Sequence, residues 1–543
     1  MSKSKNNMVV QAGILAVAGI IVRIIGLLYN TPLVHIIKDE GFGYYDSAYA
    51  AYSIVLLISS YSIPSAVSKV MAEKLAKKEY KNAHRVFVCS LIYVCVVGVI
   101  AALFVFFGAG ILVKMESAVL PLKILAPTVF FSGILGVFRG FFQAQHTMVP
   151  TSVSQILEQV FNAGFSVLMA YVLVNAAAGG TDSYIASMGA AGSTIGTGVG
   201  VIVALIFMVC IYFYNRKNVL AKIENDTAAN VESYGHIFKT ILLVVTPFIL
   251  STGVYNLNNF LDKTIYQHVM MDLKNVGEAM VAFDLSAVAK ANKIGNIPIA
   301  MASAMATTLI PKLSSHIAKE EYETAKNAIA KAQRVTMFIS IPAAVGIAVL
   351  ARPIMRVIFP QKASLELASN MLILFAVTVI LYGLSTITQA VLQAIGHMNT
   401  PIINAAIAIV VHSVIMVLLM MVLPEGCEVY AYGIATIIYS LCLCILNGIS
   451  VKKYLGYEQE IDKTFLRPGL SALGMGALTF GTYWVVNYYT GLNFVALIIA
   501  LCMGVFSYGV FALKWQVVSE DELRTLPKGT LIVKIAKKLS LIK

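Results

Sequence analysis

Long apolar stretches recur along the whole chain and are separated by short polar or charged segments. Each stretch is close to the ~20 residues that a helix needs to cross the hydrocarbon core of a bilayer. The pattern predicts fourteen membrane-spanning helices, at 9–29, 45–70, 86–113, 119–145, 151–176, 184–214, 238–267, 281–311, 335–351, 368–394, 400–424, 429–449, 467–488 and 491–513. The predicted fold class is therefore an all-α polytopic membrane protein.

Composition agrees with the hydropathy pattern. The chain is 59% hydrophobic and 12% charged, whereas soluble domains carry about 25% charged residues. Six of the seven cysteines lie in apolar stretches, and the eight histidines are scattered. These positions form neither a disulfide framework nor a metal-ligand spacing. The sequence therefore predicts no metal and no cofactor, and it gives no support for catalysis.

The net charge of +13 follows the predicted topology. With the N-terminus inside, and residues at span edges counted with the adjoining loop, the cytoplasmic segments hold 28 of the 40 Lys and Arg residues and the outer loops hold 7. The positive-inside rule favours this orientation, with both termini cytoplasmic in the cell membrane. The excess of basic residues is therefore attributed to membrane orientation and to attraction of anionic lipids, and not to binding of nucleic acid. The tail at 516–543 contains TLIVKIAKKLSLIK and predicts an amphipathic helix on the inner membrane surface.

Two pairs of segments indicate an internal repeat. AKKEYKNA at 76–83 and AKEEYETA at 318–325 share five of eight residues at an offset of 242. GILGVFRGFFQAQHTMVP at 133–150 matches GLSTITQAVLQAIGHMNTP at 383–401 at an offset of 250. Two six-helix lobes of the same orientation imply a pseudo-twofold axis along the membrane normal. The predicted organisation comprises an N-terminal lobe (1–225), a C-terminal lobe (226–455), helices 13 and 14 (456–515) and the tail (516–543).

Six, six and two helices without a nucleotide-binding motif is the layout of the multidrug/oligosaccharidyl-lipid/polysaccharide (MOP) exporter superfamily. VRIIGLLYN, YSIPSAVSKVMAEKLAKKEYKNA and FRGFFQAQHTMVPTSVSQILEQV resemble the stage V sporulation protein B group, which is close to the lipid II flippases and polysaccharide exporters. The resemblance runs over nearly the whole chain. Its motifs are specific to the group and not to one lipid-linked substrate.

The resemblance implies a flippase that moves an undecaprenyl-diphosphate-linked saccharide from the inner to the outer leaflet by alternating access. The saccharide would be lipid II or a surface-polysaccharide unit, used for cell wall, spore cortex or polysaccharide. The expected partners are this glycan and membrane lipids, with a coupling cation as a further candidate, and the chain is expected to act as a monomer. The better-known lipid II flippases carry R-x-x-G-x-x-R-D in span 1; here Arg23 and Gly26 match, whereas Tyr29 and Asn30 replace the second arginine and the aspartate.

Lys290 and Lys293 are the strongest candidates for binding a diphosphate. They lie about one helical turn apart inside span 8, where each charge costs at least about 2.5–3.5 kcal/mol on insertion scales. Lysine binds phosphate as a point charge and needs no fork geometry. The alternative is that both lysines pair with carboxylates elsewhere in the bundle, such as Glu158 or Asp262.

The other intramembrane charges have competing interpretations. Arg23 is expected to face the cavity, with snorkelling toward the outer interface as the alternative. Asn259, Asp262 and Lys263 lie near the outer mouth of span 7. They are interpreted as a solvated helix end, with contact to sugar or to a coupling ion as the alternative.

Arg139 and Glu158 flank the turn at Pro150 at similar depth and are predicted to form a structural ion pair. Tyr45, Tyr49 and Tyr52 recur at helical spacing and are interpreted as part of an aromatic belt at the interface. Stacking on a sugar would require this stripe to face inward.

Two other functions are weighed against the flippase. A cation-coupled multidrug exporter of the same superfamily (MATE-type) would favour acidic cavity residues and twelve spans. A membrane glycosyltransferase or polymerase would need a carboxylate base or a metal site and a sizeable outer loop. The outer loops here are short.

Overall fold

A computed structural model describes residues 2–61, 63–224, 226 and 231–517. Within these residues the chain forms sixteen α-helices and no strand. The helices are α1 (Ser2–Leu28), α2 (Asn30–Leu56), α3 (Ile63–Ala76), α4 (Tyr80–Leu112), α5 (Val119–Ala144), α6 (Val149–Ala176), α7 (Asp182–Glu224), α8 (Tyr234–His268), α9 (Glu278–Ala318), α10 (Tyr322–Val349), α11 (Ala351–Ile358), α12 (Leu365–Ala394), α13 (Asn399–Val422), α14 (Val429–Leu455), α15 (Arg467–Thr490) and α16 (Asn493–Lys514). The predicted all-α class is confirmed.

Thirteen of the fourteen predicted spans fall mainly on one long helix each, whereas the span at 45–70 runs over α2, a π-helical segment and the shorter α3. Eleven of the described helical segments are long and apolar enough to cross a membrane. The tail at 516–543, apart from its first two residues, lies outside the described residues. Residues 30–44, between predicted spans 1 and 2, differ from the expectation because they are helical and belong to α2. α2 is kinked at Lys38, which has a φ of 57°, and a π-helical segment (Leu57–Tyr61) follows it.

The backbone repeats where the sequence repeats. Lys78, after α3, and Glu320, after α9, both adopt left-handed conformations with φ of 60° and 61°. They are 242 residues apart, the offset of the first sequence match. His146 and Gly396, which are 250 residues apart, also have positive φ, at 58° and 90°. The turns that close matched helical hairpins in the two halves therefore share their local geometry.

The chain divides into two compact units, Met1–Ser286 and Ala287–Lys543. The sequence places the boundary between the lobes at 225 and 226, whereas the compact units divide within α9. In the first unit, α8 packs against α2, α3 and α4, and α7 packs against α2, α5 and α6. In the second unit, α12 packs against α10 and α14, and α15 packs against α10 and α16.

Glycines set the closest helix contacts of the first unit. Gly192, Gly196 and Gly200 follow one another every fourth residue along α7 and face α6. A Cβ atom at Gly196 would lie 2.2 Å from Oγ of Ser166 and 2.3 Å from its backbone nitrogen. Small residues at this spacing let membrane helices approach backbone to backbone.

A second close approach joins α2 to the beginning of α9. A Cβ atom at Gly43 would lie 1.9 Å from the backbone oxygen of Ala282. A side chain is therefore excluded at this position, and the two backbones are in direct contact.

Candidate functional site

Asn258, Asp262 and Lys263 on α8 are buried inside the first unit. Asn258 donates a hydrogen bond from Nδ2 to Oδ2 of Asp262 at 3.0 Å, as expected for residues four apart on a helix. Asp262 is 1% exposed and Lys263 is 5% exposed, whereas Asn259 is exposed. The interpretation of Asp262 and Lys263 as a solvated helix end is therefore wrong, because α2 covers this face of α8.

Lys263 forms an ion pair with Asp46 of α2. The distance from Nζ to Oδ2 is 2.5 Å, and the ammonium also donates to the backbone oxygen of Asp46 at 3.3 Å. One turn further along α8, Nε2 of Gln267 donates to Oγ of Ser47 at 3.3 Å. These polar contacts fix α8 against α2. A buried charge needs such a partner, because removing it from water is costly.

Other buried carboxylates of the first unit have hydroxyl partners. Asp284, on α9, accepts a hydrogen bond from the Tyr266 hydroxyl at 2.6 Å. Asp39, on α2, accepts one from Ser286 at 3.5 Å. Sequence reasoning missed Asp39 and Asp46 as site residues because it assigned residues 30–44 to a loop and did not weigh the charge at the start of span 2. The signal was present, since a carboxylate at the edge of an apolar stretch needs a partner.

Lys290 is completely buried in this conformation, with an exposed fraction of 0%. Within the second unit its Nζ donates to Oγ of Ser364 at 2.9 Å and lies 5.8 Å from the ring centre of Phe359. Ser364 and Phe359 flank the short connection between α11 and α12. Lys293, one turn further along α9, is half-buried. The two lysines thus share a helix but differ in exposure.

The predicted pair between Arg139 and Glu158 is present. Nη2 of Arg139, on α5, lies 2.7 Å from Oε2 of Glu158, on α6. Nε of the same guanidinium donates to Oγ of Ser154 at 3.0 Å. Both side chains are mostly buried. The arginine therefore contacts two residues of the neighbouring helix.

Arg23 and the tyrosine stripe complete the predicted set. Arg23 is exposed on α1, and its predicted contact with the transport cavity stays a prediction. Tyr45 and Tyr52 are buried, and only Tyr49 of the three is exposed. The assignment of Tyr45 and Tyr52 to an interfacial belt is therefore wrong, because both pack inside the first unit.

The described residues contain no group of three or more His, Cys, Asp and Glu side chains arranged to hold a metal ion. The first unit instead brings together Asp46, Asn258, Asp262 and Lys263 on α2 and α8. Lys290 and Lys293 lie in the second unit. The chemistry available in each unit is charge pairing and hydrogen bonding to a polar ligand.

Comparison with known proteins connects these features to a family. The family model described as lipid II flippase MurJ matches residues 73–503. The chain is 24% identical to lipid II flippase MurJ of Bacillus subtilis (strain 168) over 494 residues, which cover 88% of each protein. It is 23% identical to stage V sporulation protein B of the same organism, over 96% of this chain and 98% of that protein. The predicted resemblance to this group is confirmed.

Solved structures share the fold. A structure of lipid II flippase MurJ in an inward closed conformation matches with a TM-score of 0.65 and 17% identity, over 92% of this chain and 97% of that chain. An inward-facing multidrug resistance MATE family transporter of the MOP superfamily matches with a TM-score of 0.59 and 16% identity, over 80% of this chain and 98% of that chain. The family model covers most of the sequence, and the chain therefore belongs to the lipid II flippase MurJ family.

Proposed function

We propose that this chain is a flippase that moves an undecaprenyl-diphosphate-linked saccharide, lipid II or a surface-polysaccharide unit, from the inner to the outer leaflet of the cell membrane. Membership of the lipid II flippase family over residues 73–503 carries this proposal. The basic side chains inside predicted spans supply the matching chemistry, because a diphosphate needs cationic partners.

The diphosphate is assigned to Lys290 and Lys293, with Arg23, Asn259, Asp262 and Lys263 as further contacts of the head group. In this conformation Lys290 is buried against Ser364. Binding of the lipid head group must therefore accompany a movement that exposes the ammonium. A diphosphate can compete with the serine hydroxyl because it offers the ammonium an opposite charge in addition to a hydrogen-bond acceptor.

The working cycle is alternating access between two six-helix lobes, 1–225 and 226–455. The polyprenyl tail would follow a groove shaped by α15 and α16, and the tail at 516–543 would lie on the inner membrane surface. Both termini are cytoplasmic in this scheme, because the basic residues concentrate in the segments on that side. The chain acts as a monomer and carries out no covalent chemistry.

A cation-coupled multidrug exporter is the second candidate. It is favoured by the buried carboxylates Asp39, Asp262 and Asp284 and by the mostly buried Asp46 of the first unit, since acidic residues in a membrane protein mark ion pathways. The fold shared with MATE transporters is compatible with it. The two functions differ in the charge of the transported molecule, which is anionic for a lipid-linked saccharide and cationic for a typical drug.

Complementation tests the proposal. A host depleted of its own lipid II flippase is given this chain, and growth is measured together with the lipid II exposed on the outer surface. If the wild type restores growth and the Lys290→Met/Lys293→Met double variant does not, at equal protein level, lipid II is supported as the transported molecule. The same strains are assayed for extrusion of a cationic dye. Dye extrusion without rescue, in well-expressed protein, would replace the flippase with the multidrug exporter.

A further inference from the structure

A cavity of about 470 Å³ lies inside the first unit. It is bordered by the last turns of α3, the first turn of α4, the end of α5 with the turn that follows, and the C-terminal part of α7, and its lining residues Gln145, His146 and Asn218 are exposed to solvent. None of its lining residues is among the charged side chains assigned to the transported lipid. Its size falls within the roughly 300–1,000 Å³ of small-molecule sites.

The walls of this cavity are polar without being charged. Its described polar lining side chains are two imidazoles, three carboxamides and a phenol, namely His84, His146, Gln145, Asn215, Asn218 and Tyr80. Phe141 adds an aromatic ring, and the remaining lining residues are aliphatic or Met. Carboxamides and imidazoles both donate and accept hydrogen bonds, and aromatic rings offer stacking faces. Walls of this kind suit an uncharged, planar, polar group.

One polar atom of the cavity wall has no hydrogen bond. Nδ1 of His84 is buried and has no partner within the described part of the chain. A buried polar atom without a hydrogen bond costs about 1–3 kcal/mol. A ligand that donates to this nitrogen, or accepts from it, would remove that cost.

The second half of the repeat shows that the fold does not require a polar cavity here. At an offset of 242, Met71, Leu75 and Ala83 correspond to residues of α9 and α10, and at an offset of 250 the end of α5 corresponds to the end of α12. The corresponding residues Leu313, Ile317, Ala325, Val391, Ala394 and Ile395 form or border one hydrophobic core cluster. Gln145 thus stands where the second half has an apolar side chain. Among these matched positions, the polar side chain of Gln145 is therefore particular to the first half.

Basic residues flank the lining positions. Lys78 and Lys81 lie on either side of Tyr80 in the sequence, and Arg216 and Lys217 lie between Asn215 and Asn218. Lys78, Arg216 and Lys217 are exposed. These three exposed side chains form a basic border that is defined by its closeness in sequence to the lining residues. A ligand with an uncharged ring and an anionic substituent would suit the pocket together with this border.

We propose that this cavity binds a nucleotide, with the uncharged base between the carboxamides and aromatic rings and the phosphates at the basic border. The same phosphate chemistry occurs in anionic phospholipids, but a lipid would place acyl chains, and not a hydrogen-bonding ring, against Gln145, Asn215 and His84. The site is independent of the residues assigned to the transported saccharide. It would therefore act as a regulatory site of the first unit.

Equilibrium binding to the purified full-length protein in nanodiscs tests this site. The probes are uridine diphosphate, adenosine diphosphate, the two nucleosides and inorganic diphosphate, measured by calorimetry at fixed salt. We expect at least one nucleoside diphosphate to bind at least about tenfold more tightly than both its nucleoside and inorganic diphosphate. A tenfold difference in Kd corresponds to about 1.4 kcal/mol of binding free energy. The His84→Phe variant should weaken this binding at least tenfold.

The internal repeat provides the control. Lys326 is the counterpart of His84 at the offset of 242, so Lys326→Phe adds the same ring to the other half and should leave binding within about twofold. If the His84→Phe protein does not fold, the Asn218→Leu variant, which changes an exposed position, is used in its place. Equal binding of inorganic diphosphate and nucleoside diphosphate would overturn the proposal, as would absence of nucleotide binding. Displacement of the nucleotide by phosphatidylglycerol in the nanodisc, with no effect of phosphatidylcholine, would assign the cavity to a lipid head group instead.

Discussion

Arg139 and Glu158 join α5 to α6 through an ion pair with 2.7 Å between Nη2 and Oε2. Ser154 accepts from Nε of the same guanidinium, so the arginine is held by two residues of one helix. This geometry is that of a structural clamp across the turn at Pro150. It needs no substrate to satisfy either charge.

The clamp predicts that Glu158→Gln destabilises the protein. Breaking a fully buried pair costs about 3–5 kcal/mol, and the partial exposure of Glu158 reduces this to about 1–3 kcal/mol. Arg139→Gln combined with Glu158→Gln should recover much of the loss, measured by thermal melting of detergent-solubilised protein. A Glu158→Gln protein that melts like the wild type but no longer supports growth would show that the glutamate acts in transport.

The pair of Lys263 and Asp46 should be more sensitive because it is more deeply buried. We expect Lys263→Met to cost about 3–5 kcal/mol, since it leaves Asp46 without its ammonium. Adding Asp46→Asn should restore most of this in a double-mutant cycle. The control is Lys77→Met, which breaks an exposed pair with Glu73 and should cost no more than about 1 kcal/mol. Equal effects at the two sites would contradict the burial of Lys263.

The glycines of α7 predict a steric effect. Gly196→Ala places a methyl group against the backbone of Ser166, so α6 and α7 must separate, at a cost of about 3 kcal/mol or more. Gly164→Ala on α6 is the control, because nothing lies within 4 Å of its Cβ position. That change should be neutral or stabilising by up to about 1 kcal/mol. The effect of each substitution is measured by the protein level in the membrane and by the melting temperature.

Removing the charge of Lys290 or Lys293 should impair transport without preventing folding. Lys290→Met keeps the length of the side chain and removes both the cost of burying an ammonium and its hydrogen bond to Ser364, two opposing effects, so the protein should still fold and reach the membrane at the wild-type level. Flipping should be abolished, whereas Lys290→Arg should keep part of it because the charge survives. Lys326→Met serves as a control for loss of one lysine from the second unit. Full transport by the Lys290→Met/Lys293→Met protein would remove both residues from the site and direct attention to Arg23.

Acid should weaken one contact between helix ends outside the membrane spans. The Lys114 ammonium, 2.7 Å away, and then His268 hold the pKa of the Asp272 carboxyl below its ordinary value. The stabilisation is therefore complete above the ordinary pKa of about 3.9 and is lost as the pH falls through the lower folded-state pKa. Asp272→Asn should reduce the pH dependence of the melting temperature below about pH 4. Because Asp272 is exposed, high salt should have the same effect; an unchanged acid profile would show that this ion pair contributes nothing.

The sequence predicted the helices well because hydropathy alone determines which segments can lie in a bilayer. The repeat seen in the sequence is also present in the backbone, since Lys78 and Glu320 adopt the same left-handed conformation in corresponding turns. The pairing of Lys263 with Asp46 could not be predicted, because it depends on which face of α8 meets α2. Lys38, Asp39 and Glu40 resemble a loop in sequence, yet only Lys38 departs from helical geometry, as a kink inside α2.

The glycine contacts were accessible to sequence reasoning but were not used. Gly192, Gly196 and Gly200 recur at the four-residue spacing that marks close helix contacts in membranes. In contrast, no pattern distinguishes the buried Lys290 from the half-buried Lys293. The burial of Lys290 involves Phe359 and Ser364, which are distant from it in sequence.

The contact of Gly43 with the backbone of Ala282 has a mechanical consequence. No side chain separates the two helices there, so no rotamer change can absorb a shift of α9 relative to α2. α9 continues as one helix from Glu278 to Ala318, through the boundary between the compact units. A shift or axial rotation of the first turns of α9 must therefore either open this backbone contact or displace α2 with it, and with α2 the carboxylate of Asp46.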